Sequence, residues 1–169
     1  MPPALQAIVD GIIGSRGSLH GSFSVFLHSP ELAGRVAHLG AYVRFEGTLD
    51  MQIRVLAAMT VAREFEVEYV WGAQTGSARR QHVPDATINA IRENRSDGIP
   101  AEDLAIIAFT RALLRQHKVS DEMAAAMRAR VGDDGFIQLT GAIGYYSMLA
   151  MTVNACELEA GPGADVLKV

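Results

Sequence analysis

Cysteine is almost missing from this chain, since Cys156 is its single thiol. One thiol cannot form an intramolecular disulfide, and it cannot supply the two-thiol pair of a CxxC redox site. Cys156 lies in an apolar stretch with helical spacing, where a thiol usually behaves as a small buried hydrophobe. We therefore expect Cys156 to be buried, and we expect disulfide chemistry to have no part in the function.

Dense basic segments are also missing. The chain has 15 Lys and Arg residues against 19 Asp and Glu residues, for a net charge of −4, and its longest basic run is Arg79-Arg80. Binding to nucleic acid through its phosphates requires a basic face, so we expect no nucleic acid partner. Residues 1–5 lack the basic start and the long apolar run of a signal peptide, which favours a cytoplasmic protein.

Charge is absent from residues 135–156, a stretch that is long enough to span a bilayer. Polar residues interrupt it, and acidic residues flank both ends without a basic anchor to set an orientation. A core or subunit-interface helix explains this segment better than a membrane span, so we expect no membrane association. We also expect a homo-oligomer in which this helix or the apolar helix at residues 51–64 contributes to an interface.

Strand signals are lacking as well, because no run of alternating apolar and polar residues lies between turns. Apolar residues instead recur at helical spacing, and the main predicted helices cover residues 31–45, 51–64, 69–81 and 101–117. Ser120 is expected to cap another helix, and Asp133 or Asp134 to open the last long one. The prediction is a single all-α domain, a helical bundle at residues 1–160 with a loose tail at 161–169.

The most informative stretch is residues 55–74, which read VLAAMTVAREFEVEYVWGAQ. The segments 63–65 and 69–71 in it resemble a pattern of the carboxymuconolactone decarboxylase-like superfamily, which also holds the alkyl hydroperoxide reductase D-type peroxidases. In the best-matching subgroup this pattern is Ala-Arg-Glu-Trp, three residues, Tyr-Glu-Trp, two residues and His. Further segments resemble the same family in the same order, at residues 28–32, 40–45, 144–150 and 154–155.

Other residues occupy the reactive positions of the family pattern. The motif Glu is Val70, the motif His is Gln74, and an upstream family Glu is Val55. In the thiol peroxidases of the family, two cysteines stand where this chain has valine, so the resemblance implies no peroxidase activity of that kind. It does imply the family's all-α fold and its homo-oligomeric assembly, as a trimer or hexamer, with a dimer as the alternative.

Two residues are candidates for catalysis. Glu64 matches a family position and can exchange a proton, whereas Gln74 can form hydrogen bonds but cannot accept a proton near neutral pH. Each has a structural alternative. Glu64 could pair with an arginine of another helix, and Gln74 could be a buried amide satisfied by the backbone.

A pocket near these two residues is expected to be lined by seven others, namely Val70, Tyr69, Trp71, Val55, His28, Tyr145 and Tyr146. Aromatic residues at helical spacing are more often core residues than pocket residues. Adjacent residues point about a hundred degrees apart on a helix, so only one of the two neighbouring tyrosines should readily face a given cavity. His28 could line the pocket mouth or hold its loop by a hydrogen bond.

No cofactor or metal is expected. The five histidines, including His20 and His28, show no close ligand spacing and have no cysteine nearby, and the glycines form no phosphate-binding loop after a strand. Two functions remain open. The protein is either a decarboxylase-like enzyme that acts on a small carboxylated or lactone-type molecule, or a catalytically silent small-molecule-binding or assembly protein that kept the pocket.

Overall fold

The computed structural model describes residues 3–17, 19 and 21–167, and these residues contain eight α-helices and no strand. The helices are α1 (Pro3–Arg16), α2 (Ser22–Phe26), α3 (Pro30–Ala41), α4 (Met51–Glu64), α5 (Glu68–Arg80), α6 (Asp85–Arg92), α7 (Ala101–Gln116) and α8 (Asp121–Ala155). A π-helical turn, Tyr42–Glu46, directly continues α3. The predicted all-α, single-domain bundle is therefore confirmed.

The helix α4 lies at the centre of the bundle. Every residue from Ile53 to Ala62 is buried, and α5, α6, α7 and α8 all pack against it. Its start is fixed by Asp50, whose carboxylate accepts hydrogen bonds from the backbone N–H groups of Gln52 and Ile53. A helix that is apolar all round belongs inside a core. Residues 53–62 of α4 are therefore enclosed within one chain.

The helix α8 contains a break at Gly132, whose backbone has φ 73° and ψ 173°. Such a positive φ suits glycine, and the break separates the helix capped by Ser120 from the one that begins near Asp133. The second part packs on α4, but Ile137 and Met151 are 64% and 54% exposed. By length and composition α8 could cross a membrane, yet 44% of its most apolar stretch is buried inside the protein. A core helix of a soluble protein has these same properties.

The chain end and Cys156 differ from the expectation. Residues 164–167 lie against the bundle, with Leu167 fully buried and its N–H donating to Glu68 at 2.6 Å. Arg79 also donates to Asp165 at 2.5 Å, so an apolar anchor and an ion pair hold this segment against α5. The expected burial of Cys156 is wrong. Because α8 ends at Ala155, Cys156 occupies its C-terminal cap and is exposed.

The π-helical turn also departs from the expectation of one helix over residues 31–45. The backbone N–H of Gly47 donates to the carbonyl of Tyr42 at 2.8 Å, which closes the wider i to i+5 ring. Arg54 of α4 donates through Nη1 to the carbonyl of Val43 at 2.6 Å. This contact ties the turn to the central helix and places Arg44 beside α4 and α5.

Candidate functional site

A cavity of about 220 Å³ lies between the π-helical turn, α4, α5 and α8. Its charged lining residues are Arg44, Arg54 and Arg80, and none of its lining residues is acidic. Among the residues that the structure describes, none of these three arginines forms an ion pair with a carboxylate. We call this space the arginine cavity. It concentrates positive charge without an internal counter-ion.

Arg54 is the most deeply placed of the three arginines. It is only 8% exposed, and besides the Val43 carbonyl its guanidinium contacts the sulfur of Met51 at 3.4 Å. Its Nε is buried and has no hydrogen-bond partner among the described residues. A buried charge is costly unless it is paired and hydrogen-bonded. An anion in the arginine cavity would supply the missing counter-charge.

Arg44 and Arg80 stand at less buried positions around the same space. Arg80 is exposed and donates to the hydroxyl of Ser77 at 2.8 Å, and Arg44 lies 4.9 Å from the ring centre of Phe45. A guanidinium stays charged near neutral pH and presents a planar fork of donors that matches a carboxylate or a phosphate. The cavity is therefore suited to hold a small anion.

Gln74 and Tyr146 are buried residues that line the cavity. Burial raises the pKa of the Tyr146 phenol, whereas Arg44, Arg54 and a hydrogen bond from Gln74 act in the opposite direction. The net effect is an upward shift, so the phenol stays neutral at physiological pH. It can donate a hydrogen bond to a ligand, but it is not a general base there.

A second cavity of about 190 Å³ adjoins the first and shares Arg44, Gln74 and Tyr146 with it. Its other polar lining groups are the hydroxyls of three residues, namely Ser22, Tyr69 and Tyr145. We call it the hydroxyl cavity. Both neighbouring tyrosines of α8 reach it, in contrast to the expectation that only one would. Their rings meet edge to face at 5.3 Å and 76°, so both can border one space.

Six of the nine predicted site residues lie around these two cavities. Gln74 and Tyr146 line both, Val55 lines the arginine cavity, and three residues line the hydroxyl cavity, namely Val70, Tyr69 and Tyr145. Val70 and Gln74 are one turn apart on α5, which brings them to one face.

Trp71, His28 and Glu64 do not line either cavity. Trp71 is fully buried on a different face of α5, with the guanidinium of Arg92 5.5 Å from its ring centre. His28 is exposed in the turn that follows α2, where its backbone N–H donates to Val25. Both residues therefore have structural surroundings that do not involve the two cavities.

Glu64 is held by arginines of α7. It accepts two hydrogen bonds of 2.6 Å from Arg115, and its carboxylate lies 3.4 Å from Nε of Arg111. The bond to Glu64 raises the pKa of Arg115, whereas burial lowers the pKa of Arg111 against the opposing effect of Glu64. Of the two roles considered for Glu64, the salt bridge is the one that the structure contains.

The three arginines were not among the predicted site residues. Arg44, Arg54 and Arg80 are separated in the sequence, and Arg79-Arg80 stood out only as the longest basic run. One signal was available, because Arg54 is the lone charged residue in the apolar run between Met51 and Ala62. A charge in a buried helix is rare unless it has a partner.

Among the described residues, no group of three or more His, Cys, Asp or Glu side chains could hold a metal ion. His20 lies outside the described residues. No model of a known protein family matches this chain, and no curated protein matches it. Membership of the carboxymuconolactone decarboxylase-like superfamily therefore stays a prediction.

Proposed function

We propose that this protein binds a small carboxylate-bearing molecule in the arginine cavity. The observation that carries the proposal is the convergence of Arg44, Arg54 and Arg80 on one space without an acidic lining residue. Arg54 supports it most strongly, since it is only 8% exposed and no acidic residue lines the cavity beside it. A bound carboxylate would supply that counter-charge and would accept charge-assisted hydrogen bonds from the guanidiniums.

We further propose that the chain is a carboxymuconolactone decarboxylase-like protein whose active site has lost its usual chemistry. Neither cavity is lined by a carboxylate or an imidazole, and Gln74 and Val70 cannot exchange protons. Thiol peroxidase chemistry needs a second thiol that the sequence lacks. A catalytically silent binding protein is the function that this lining favours.

A second candidate is a decarboxylase-like lyase that acts on a lactone acid. Tyr146 favours it, because a neutral phenol beside Arg44 and Gln74 could donate a proton or a hydrogen bond to a carbonyl oxygen. In this candidate the arginines bind the carboxylate, and Tyr146 is the acid that replaces the family residues. Turnover of a carboxylated lactone that is lost in Tyr146→Phe would establish the lyase.

The double substitution Val70→Glu with Gln74→His tests whether the silent binding protein is a decarboxylase-like enzyme that has lost its acid–base pair. It returns the family's acid–base pair to one face of α5, beside Arg44, which would stabilise the introduced carboxylate. We expect a soluble variant that gains activity on a carboxylated lactone, measured against the inactive parent. A soluble variant that binds the lactone and leaves it unchanged would argue against a silenced enzyme.

The binding proposal is tested by a pair of matched substitutions on α5. Arg80 lines the cavity, whereas its neighbour Arg79 pairs with Asp85 and Asp165 outside it. Calorimetric titration with small aromatic acids and carboxylated lactones should give an affinity that falls about tenfold or more in Arg80→Gln. Arg79→Gln should bind like the parent. Equal affinities for the parent and Arg80→Gln would overturn the proposal.

Assembly and location complete the proposal. We infer a cytoplasmic homo-oligomer, a trimer or hexamer with a dimer as the alternative, in which the uncharged second part of α8 contributes to the interface. Ile137 and Met151 support this choice, because both are large, apolar and exposed on that helix. Light scattering at micromolar concentration should give a mass above that of one chain. A monomer would contradict the inference.

A further inference from the structure

The arginine cavity and the hydroxyl cavity adjoin each other and have three lining residues in common. Arg44, Gln74 and Tyr146 line both of them, so a molecule in either space contacts the same three side chains. Ligand cavities usually measure about 300–1,000 Å³. Each of the two spaces, at about 220 and 190 Å³, is smaller than that, but joined they fall within the range. One ligand that extends through both is therefore the better fit.

The chemistry of the two spaces differs. The arginine cavity adds the guanidiniums of Arg54 and Arg80 to the shared wall, whereas the hydroxyl cavity adds neutral hydroxyl groups. A carboxylate belongs in the first space, where opposite charge is available. Hydroxyl groups of Ser22 and Tyr69 can both donate and accept hydrogen bonds, so the second space suits a neutral polar group.

The hydroxyl cavity is shaped by close packing. A Cβ atom at Gly21 would stand only 1.5 Å from the hydroxyl oxygen of Tyr69, so the absence of a side chain at Gly21 makes room for that phenol. Gly21 also has φ 81°, in the region that favours glycine. Ser22, the next residue, is buried at the same end of α2. The polar lining is thus held in place before any ligand arrives.

We propose that the ligand is a hydroxylated carboxylic acid that occupies both cavities. This inference rests on the proposed carboxylate binding and adds a second recognition element to it. The carboxylate lies against Arg54 and Arg80, and a hydroxyl at the other end of the molecule exchanges hydrogen bonds with Tyr69. Arg44, Gln74 and Tyr146 surround the middle of the ligand.

Three matched probes test this arrangement by calorimetric titration. They are 3-(4-hydroxyphenyl)propanoate, which carries both groups, 3-phenylpropanoate, which lacks the hydroxyl, and 3-(4-hydroxyphenyl)propan-1-ol, which lacks the carboxylate. The hydroxylated acid should bind about fivefold tighter than the plain acid, as one neutral hydrogen bond allows. The alcohol should bind about tenfold or more weakly than the hydroxylated acid, because it lacks the charge-assisted bonds to the arginines.

Two substitutions locate the hydroxyl. Tyr69→Phe removes a single oxygen, and Ala73→Leu narrows the hydroxyl cavity from an exposed position on α5. In each variant we expect 3-(4-hydroxyphenyl)propanoate and 3-phenylpropanoate to bind with equal affinity. That affinity should be close to the affinity of the parent protein for 3-phenylpropanoate. Arg79→Gln, which lies outside both cavities, should still bind the hydroxylated acid about fivefold tighter than 3-phenylpropanoate.

The outcomes separate this inference from the proposed function. If the two acids bind the parent equally well, the second recognition element is overturned and the carboxylate proposal stands. If both Tyr69→Phe and Ala73→Leu still prefer the hydroxylated acid over 3-phenylpropanoate, the ligand hydroxyl lies outside the hydroxyl cavity. That result would also overturn the second recognition element. If neither acid binds, the proposed function fails, and this inference fails with it.

Discussion

Two groups of arginines in this protein stand in opposite electrostatic situations. Arg111 and Arg115 of α7 surround Glu64, which is held by short hydrogen bonds and is itself 12% exposed at its side chain. Arg44, Arg54 and Arg80 line a cavity without an acidic lining residue. Both arginines of the first group share the carboxylate of Glu64 as an ion-pair partner inside the chain, although Nε and Nη2 of Arg111 lack hydrogen-bond partners among the described residues. The second group has no carboxylate partner among the described residues, so a ligand can supply the negative charge.

This difference separates a structural residue from a binding residue more reliably than position in a motif does. Glu64 matches a motif position of the resembled family, yet its carboxylate is fully engaged with α7. Arg54 and Arg80 match no motif position that we identified, yet both line a cavity and have no carboxylate partner among the described residues. The chemistry of the site is therefore indicated by the arginines that lack an ion pair.

The largest effect is expected at Glu64. Glu64→Gln should lower the free energy of unfolding by about 2–3 kcal/mol, because it leaves Arg111 buried without its carboxylate. Ligand affinity should stay at the parental value, since Glu64 lines neither cavity. Urea denaturation and calorimetric titration measure the two quantities.

Two controls sharpen the Glu64 result. Glu66→Gln removes a carboxylate that is 55% exposed and 3.5 Å from Arg63, and it should change stability by less than about 0.5 kcal/mol. Glu64→Gln combined with Arg111→Met should recover part of the lost stability, because no unpaired charge remains buried. If Glu64→Gln keeps its stability but no longer binds the ligand, Glu64 is a binding residue and not a structural one.

The next effect is expected at Arg54, in affinity more than in stability. Arg54→Met should weaken carboxylate binding about tenfold or more, because the deepest guanidinium is lost. Its stability should change by less than about 1 kcal/mol, since the lost bond to the Val43 carbonyl is offset by removal of an incompletely paired buried charge. Strong destabilisation with unchanged affinity would instead make Arg54 a structural residue like Arg111.

The smallest effect concerns Tyr146 and pH. Because burial raises the pKa of its phenol above the ordinary value of 10.0, the folded state favours the neutral form. This contribution is fully present below pH 10 and is lost as the pH rises through the raised pKa. The unfolding free energy of the parent should therefore fall more steeply above about pH 9.5 than that of Tyr146→Phe. Parallel pH profiles would show that the phenol ionises in the fold as it does in water.

Helices of the bundle could be predicted well where local signals are strong. The predicted span 51–64 coincides with α4, because Asp50 caps its start and an apolar run of helical spacing follows. The break at Gly132 was implied by a predicted cap at Ser120 and a new start near Asp133. The π-helical turn was not predicted, since the contact that holds it is a hydrogen bond from the side chain of Arg54, on another helix, to the carbonyl of Val43.

The site was predicted only in part for a similar reason. Val70 and Gln74 are one turn apart on one helix, so their common face follows from spacing alone. Arg44, Arg54 and Arg80 belong to three different elements, and only packing brings them together. The tail was expected to be loose because Gly161-Pro162-Gly163 breaks regular structure, but Leu167 finds an apolar site on the bundle four residues later.

The most direct test of the central claim is a crystal structure of the protein with 4-bromobenzoate, located by the anomalous signal of the bromine. We expect the carboxylate in the arginine cavity, within hydrogen-bond distance of Arg54 and Arg80, with the bromine directed toward the hydroxyl cavity. Glu64 should keep its contacts with Arg111 and Arg115 in that structure. A ligand bound away from the three cavity arginines, or a cavity closed by ion pairs between them and carboxylates of the protein, would contradict the account.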